Sequence, residues 1–200
     1  MKSNQEFGSW WGAFKEDTRM FRLVHGSSGW FKYFYYPDFR AVLIFRLSQL
    51  VFRWRVTRPI AYFLTMLNDL ITGVWIGPRV EVGPGLFLGH PRGLVVNPCT
   101  KIGSYCSIMQ RVTIGGPNVT VGDYVEINAG AQIVSNARGK KKLTIGDYVI
   151  IGAGAVVVKD VPAGCVVMGV PARVVKPLDY ADNWVAFRMR RNLEETNHAE

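Results

Sequence analysis

The sequence predicts a mainly β fold, a parallel β-helix preceded by a short α-helical region. Three observations predict it: a six-residue aliphatic period that begins after Gly73, long aliphatic runs before it, and prolines ahead of Gly73 only at Pro37 and Pro59. A length of 200 residues suits one domain with an extension, at roughly 100–200 residues per domain. With 48% hydrophobic and 20% charged residues, the chain is neither a disordered nor a low-complexity composition.

The first 30 residues, which include Trp10, Trp11 and Trp30, lack the basic-then-apolar layout of a signal peptide. Composition does not decide between packing and lipid contact for them. Residues 30–72 read as helices. Pro37 and Asp38 head a segment running to about Arg55, and Pro59 opens a second of roughly a dozen residues, since proline is tolerated in the first turn. In the first segment Arg46, Gln49 and Arg53 fall on one narrow face, while Phe39, Val42, Leu43, Leu47, Leu50, Val51 and Trp54 fill much of the rest. Such a helix needs cover on most sides. Burial against the protein or a sister subunit is one reading, and peripheral contact with a membrane through Trp, Phe and Arg is the other. The apolar stretch 60–76 contains Asn68 and Asp69 and is shorter than the ~20 residues a spanning helix needs.

After Gly73 the period is six. Aliphatic residues recur at Ile76, Val82, Leu88, at Val96, Ile102, Ile108, Ile114, at Val121, Ile127, Ile133, and at Ile145, Ile151, Val157. A six-residue unit is too short to hold a helix and fits a short strand plus a corner, three of which close one triangular coil. About five coils are expected. The period breaks three times: eight residues separate Leu88 from Val96, seven separate Ile114 from Val121, and twelve separate Ile133 from Ile145. Each break pushes chain out of the coil: Gly89-His90-Pro91-Arg92-Gly93, then Gly115-Gly116-Pro117, then a basic loop with Lys140, Lys141 and Lys142. Loops thrown from a rigid repeat are where function concentrates. The expected organisation is a helical region over 1–72, the β-helix over 73–177, and a C-terminal helix and tail over 178–200.

The formal charge is +9, shared between residues 1–70 (ten basic against five acidic) and 71–200 (fourteen against ten). Basicity spread in this way suits anionic partners without choosing among them. Aromatic and basic residues do not interleave on any one repeat face, so nucleic acid is not expected. Cys99, Cys106 and Cys165 are too few and too scattered for a disulfide framework, and no cysteine or histidine spacing suits a metal, so a reducing compartment and no metal are expected.

The segments GPGLFLGHPRGLVVNPCTKIGSYCSIMQRVTIGG (83–116), IGAGAVVVKDVPAG (151–164) and GVPARVV (169–175) resemble the hexapeptide-repeat acyltransferases, and specifically their serine acetyltransferase-like branch. The resemblance covers about residues 30–177. It implies a left-handed β-helix, homotrimers with active sites between neighbouring subunits, and acetyl-CoA as acyl donor. His90 matches the family's catalytic histidine. The chemistry agrees, because acyl transfer from a thioester to a hydroxyl requires a base for the hydroxyl proton, and imidazole, with an unperturbed pKa near ~6.5, suits that task. His25, in a Gly/Ser-flanked loop, and His198, in the tail, lack such placement. Gly130, Ala131, Gly152 and Ala153 are expected to leave a coil bare enough for the pantetheine arm. Lys159 and Arg173 match basic positions that reach the CoA phosphates in related enzymes, and Lys140 to Lys142 could add to them. Arg92 is the acceptor-binding candidate.

The pattern also departs from the family. Trp75 stands where a carboxylate orients the histidine, Gly89 where a second carboxylate holds serine, and the loop carrying an arginine and a second histidine is cut to Gly116-Pro117-Asn118. These departures lead to the expectation of a larger acceptor: a carbohydrate or lipid-linked glycan hydroxyl in surface or exopolysaccharide synthesis, at the cytoplasmic face of a membrane. The alternatives are a serine O-acetyltransferase of cysteine biosynthesis and a non-catalytic β-helix scaffold.

Overall fold

The computed structural model describes residues 9–26, 29–135, 142–179 and 183–187. Four helices lead the chain: α1 (Trp10–His25), α2 (Phe31–Tyr35), α3 (Pro37–Phe52) and α4 (Arg58–Thr72), with a 3-10 turn at Arg55–Thr57 before the last. Pro37 and Pro59 both sit in first turns, as the spacing predicts. α3 ends three residues earlier than expected, because Arg53 and Trp54 leave the helix to make the turn, and α4 is 15 residues long.

α1 is a helix that the sequence reading did not assign. Its N-terminus is capped by Ser9, whose hydroxyl accepts from Gly12 N. Its last residue is His25, which therefore lies on a helix and not in a loop; Nε2 pairs with Asp38 Oδ2 at 2.6 Å. The narrow polar face of α3 turns inward. Arg46 is buried, with Nε 2.7 Å from Asp17 Oδ2, while Nη1 and Nη2 donate to Val82 O and Gly83 O. Asp17 Oδ1 also accepts from Leu86 N. Burial pushes the Asp17 carboxyl up in pKa, against the pull of Arg46 and the backbone N–H groups. One ion pair thus joins α1, α3 and the first coil.

From Val74 onward the chain winds through three parallel faces. The first face stacks β1 (Val74–Ile76), β4 (Leu94–Val96), β7 (Thr113–Gly115), β10 (Gln132–Val134) and β13 (Val156–Val157). The second stacks β2 (Glu81–Val82), β5 (Lys101–Ile102), β8 (Val119–Val121) and β11 (Leu143–Ile145). The third stacks β3 (Phe87–Gly89), β6 (Ser107–Met109), β9 (Glu126–Ile127), β12 (Ile150–Ile151) and β14 (Cys165–Met168), with β15 (Arg173–Pro177) returning antiparallel at the end. Four complete coils result, and β13, the Ile145–Val161 bridge and β14 carry the same three faces one step further. All thirteen periodic aliphatic residues are buried. Each such burial contributes roughly 1.5–3 kcal/mol, so the inward column supplies the core.

The corner between the second and third faces is also repetitive. Tyr105, Tyr124 and Tyr148 take positive φ there and stack with ring centroids 5.1 and 4.8 Å apart. The C-terminal segment covers the outside of the third face. Val185 clusters with Met20 of α1 and Phe87 of β3, and Asn183 Nδ2 donates to Tyr124 O.

Candidate functional site

The corner between the third and first faces carries the break at His90. Gly89 pairs with Met109 and Val95 with Thr113, so five residues span this corner in the first coil against three in the second. The two extra residues are His90 and Pro91, since Arg92 O accepts from Arg111 N and restores the stacking immediately after them. His90 is therefore looped out of the coil, exposed, at φ 49. Among the described residues none of the ion pairs involves it.

A column of positive-φ residues runs along this corner at equivalent places: Gly93, Arg111, Gly130 and Gly154. A Cβ added at Gly154 would meet nothing within 4 Å, and one at Gly130 would meet only Gly154 N at 4.0 Å. The corner surface is bare over two successive coils. His90, Arg92, Gly130, Ala131, Gly152 and Ala153 share one edge, but only Gly130 and Ala153 of the four expected small residues leave it bare: Ala131 is turned inward and buried, and Gly152 is buried beneath Met168, whose side chain a Cβ there would meet at 2.7 Å. Arg173 opens β15 near the end of the same edge, where Ala172 N donates to Val156 O. Lys159 lies past the other end of β13, toward the corner between the first and second faces, on the same side as exposed Lys142. Lys140 and Lys141 fall outside the described residues, as does His198.

Arg111, exposed and directly above Gly93, is a candidate that the sequence reading missed. The available signal was its place in the repeat, where the equivalent residues of the other coils are glycines. Cys106 is buried with Sγ 3.2 Å from Gly122 O, and burial pushes its thiol up to about 12; Cys99 is exposed in a corner. Neither adjoins His90 in the coil.

Two of the three departures fill space instead of opening it. Gly89 is buried, and a Cβ there would collide with Met109 Sδ, so Met109 occupies the room a carboxylate would need. Trp75 is a large, half-exposed side chain on the outer side of the first face. At the trimmed turn a Cβ on Gly116 would collide with Ser135 Oγ, so the turn lies down on the next coil.

A β-helix of six-residue units with a histidine looped from its first complete coil has the architecture of the hexapeptide-repeat transferases. The serine acetyltransferase of Synechococcus elongatus is 36% identical over 160 residues, 73% of this chain and 63% of that protein. That of Helicobacter pylori strain J99 is 34% identical over 147 residues, 70% of this chain and 82% of that protein. The solved structure of serine acetyltransferase from Brucella abortus strain S19 in complex with coenzyme A superposes with a TM-score of 0.74 at 28% identity, covering 85% of this chain and 69% of that one. No family model matches the chain. The chain belongs to the serine acetyltransferase family.

The chain spans less than two thirds of the Synechococcus relative. These relatives overturn the expectation of a carbohydrate or lipid-linked glycan acceptor in polysaccharide synthesis: at 34–36% identity they are named for serine. The trimmed loop, expected to make room for a larger acceptor, is a turn whose Gly116 packs on Ser135, and the room beside Gly89 is taken by Met109. Among the described residues no helix is long and apolar enough to cross a membrane.

Proposed function

We propose that this chain is an acetyl-CoA-dependent serine O-acetyltransferase with His90 as general base. The observation that carries the reading is the two-residue insertion that lifts His90 out of the coil at the head of a bare glycine column. His90 takes the proton from the serine hydroxyl as the oxygen attacks the thioester carbonyl carbon. The tetrahedral oxyanion, held by backbone N–H groups of the turn, collapses with expulsion of the CoA thiolate, which receives the proton from the imidazolium. No covalent acyl-enzyme forms. The pantetheine arm lies along the corner past Gly130, Ala153 and Gly154, whose lack of bulk leaves room for it, and Arg173 and Lys159 meet the CoA phosphates. With no carboxylate at positions 75 and 89, Arg92 and Arg111 hold the serine carboxylate as a guanidinium pair on either side of the Gly93 turn. Homotrimeric assembly, in which a neighbouring subunit closes the His90 corner, belongs to the same reading.

The test is incubation of purified protein with acetyl-CoA and L-serine, following CoA release with a thiol reagent and O-acetylserine by mass spectrometry. Wild type should form the product, and His90→Ala should be at least 100-fold slower with unchanged CoA affinity, the lower end of the range for loss of a general base. Equal turnover by the two proteins would remove His90 from the reaction, and absence of CoA binding would remove the acyltransferase reading.

A further inference from the structure

A second cleft lies away from the His90 corner, between the helices and the first two coils, at the corner joining the first and second faces. Its volume is about 510 Å³, within the ~300–1,000 Å³ typical of small-molecule sites. Arg53 at the end of α3, Arg58 at the start of α4 and Arg79 in the turn between β1 and β2 all line it. None of these three guanidinium groups has a hydrogen-bond or ion-pair partner among the described residues; Arg58 only lies over the Phe52 ring, 5.0 Å from its centroid. The other cations of the cleft are already matched, Arg46 by Asp17 and Lys101 by Glu81 at 2.8 Å. Two buried oxygens of the lining have no hydrogen-bond partner: Glu81 Oε2, whose charge is met by Lys101, and the hydroxyl of Thr100, 1% exposed, which is the one that can donate to a ligand.

Three unpaired guanidinium groups from three separate elements around one cavity repel each other, and a bound polyanion removes that repulsion. Guanidinium forks match phosphate oxygens two at a time, and a phosphate chain carries enough charge for three of them, which a single carboxylate does not. We propose that this cleft is a binding site for a small molecule bearing phosphate groups, held by Arg53, Arg58 and Arg79. The site needs neither His90 nor the glycine column.

Cys99 lines the same cleft and is exposed, whereas Cys106 and Cys165 are buried, so thiol alkylation reports occupancy at Cys99. The probes are inorganic pyrophosphate, citrate as a carboxylate control, adenosine 3′,5′-bisphosphate and CoA. Pyrophosphate should slow alkylation of Cys99 by iodoacetamide at least fivefold and should titrate calorimetrically, with affinity falling as salt is raised. Arg79→Gln and Arg53→Gln should each weaken binding at least tenfold, and His90→Ala should leave it unchanged. Protection by the nucleotide and CoA as well as by pyrophosphate supports the site and assigns it the nucleotide end of CoA; protection by pyrophosphate alone supports it and assigns a separate phosphorylated ligand. Absence of heat, equal binding of citrate, or undiminished binding in both arginine variants overturns the proposal. Calorimetry decides in any assembly that shields the thiol.

Discussion

Arg111 occupies a position that the other coils give to glycine. At φ 58 its Cβ is held in the left-handed region, which costs an L-residue about 1–2 kcal/mol, whereas glycine there loses only about 0.5–1 kcal/mol of unfolded-state freedom. Arg111→Gly is therefore expected to stabilise the fold by roughly 0.5–1 kcal/mol while removing half of the proposed carboxylate clamp. Thermal unfolding and steady-state kinetics on one preparation test this together: the melting temperature should rise, KM for serine should rise at least tenfold, and KM for acetyl-CoA should stay within twofold. A lower melting temperature with unaltered KM for serine would show that Arg111 is held by packing and not for substrate.

At the scale of elements, the helices depend on one buried pair. Arg46 was legible only as part of a polar stripe on α3, and a period of 3.6 cannot say whether such a stripe faces water or a partner carboxylate 29 residues away. The partner lies on α1, an amphipathic segment unassigned from the sequence, so Asp17 was never a candidate partner for Arg46. Removing one partner leaves an uncompensated buried charge, so Arg46→Met is expected to cost about 3–5 kcal/mol in urea unfolding. Asp17→Leu should cost a similar amount, since it also strands the Leu86 N–H. The double variant should lose clearly less than the sum of the two, a coupling of at least about 1 kcal/mol for groups in direct contact. Additive losses would show that α1 and α3 are held to the first coil by apolar contacts alone.

Across the whole molecule, the β-helix was legible residue by residue because the thirteen inward positions obey one rule, and each break in the rule is a place where the chain leaves the coil. The acceptor was not legible. A missing carboxylate reads the same in sequence whether the space is open or filled, and only the contact of Gly89 with Met109 shows that it is filled. The closure of the chain on itself was equally hidden: Met20, Phe87 and Val185 meet only after α1, the first coil and the C-terminal segment have been brought to the third face. That closure buries Glu126, whose Oε1 accepts from Val185 N at 3.4 Å and whose carboxyl burial pushes up to about 7 from an ordinary value of 4.5. The folded state binds this proton more tightly than the unfolded chain does, so its contribution is fully present below about pH 4.5 and is lost as pH rises through about 7. The loss is on the order of 3 kcal/mol, since each tenfold difference in proton affinity between the two states is worth about 1.4 kcal/mol. Glu126→Gln keeps an acceptor for Val185 N without the charge, and its melting temperature should therefore match wild type near pH 5 and exceed it at pH 8. Trp184 fluorescence followed over the same range should report the segment loosening with rising pH in wild type and staying docked in the variant. Parallel pH profiles for the two proteins would mean that Glu126 reaches water in the folded state and that the C-terminal segment does not seal the third face.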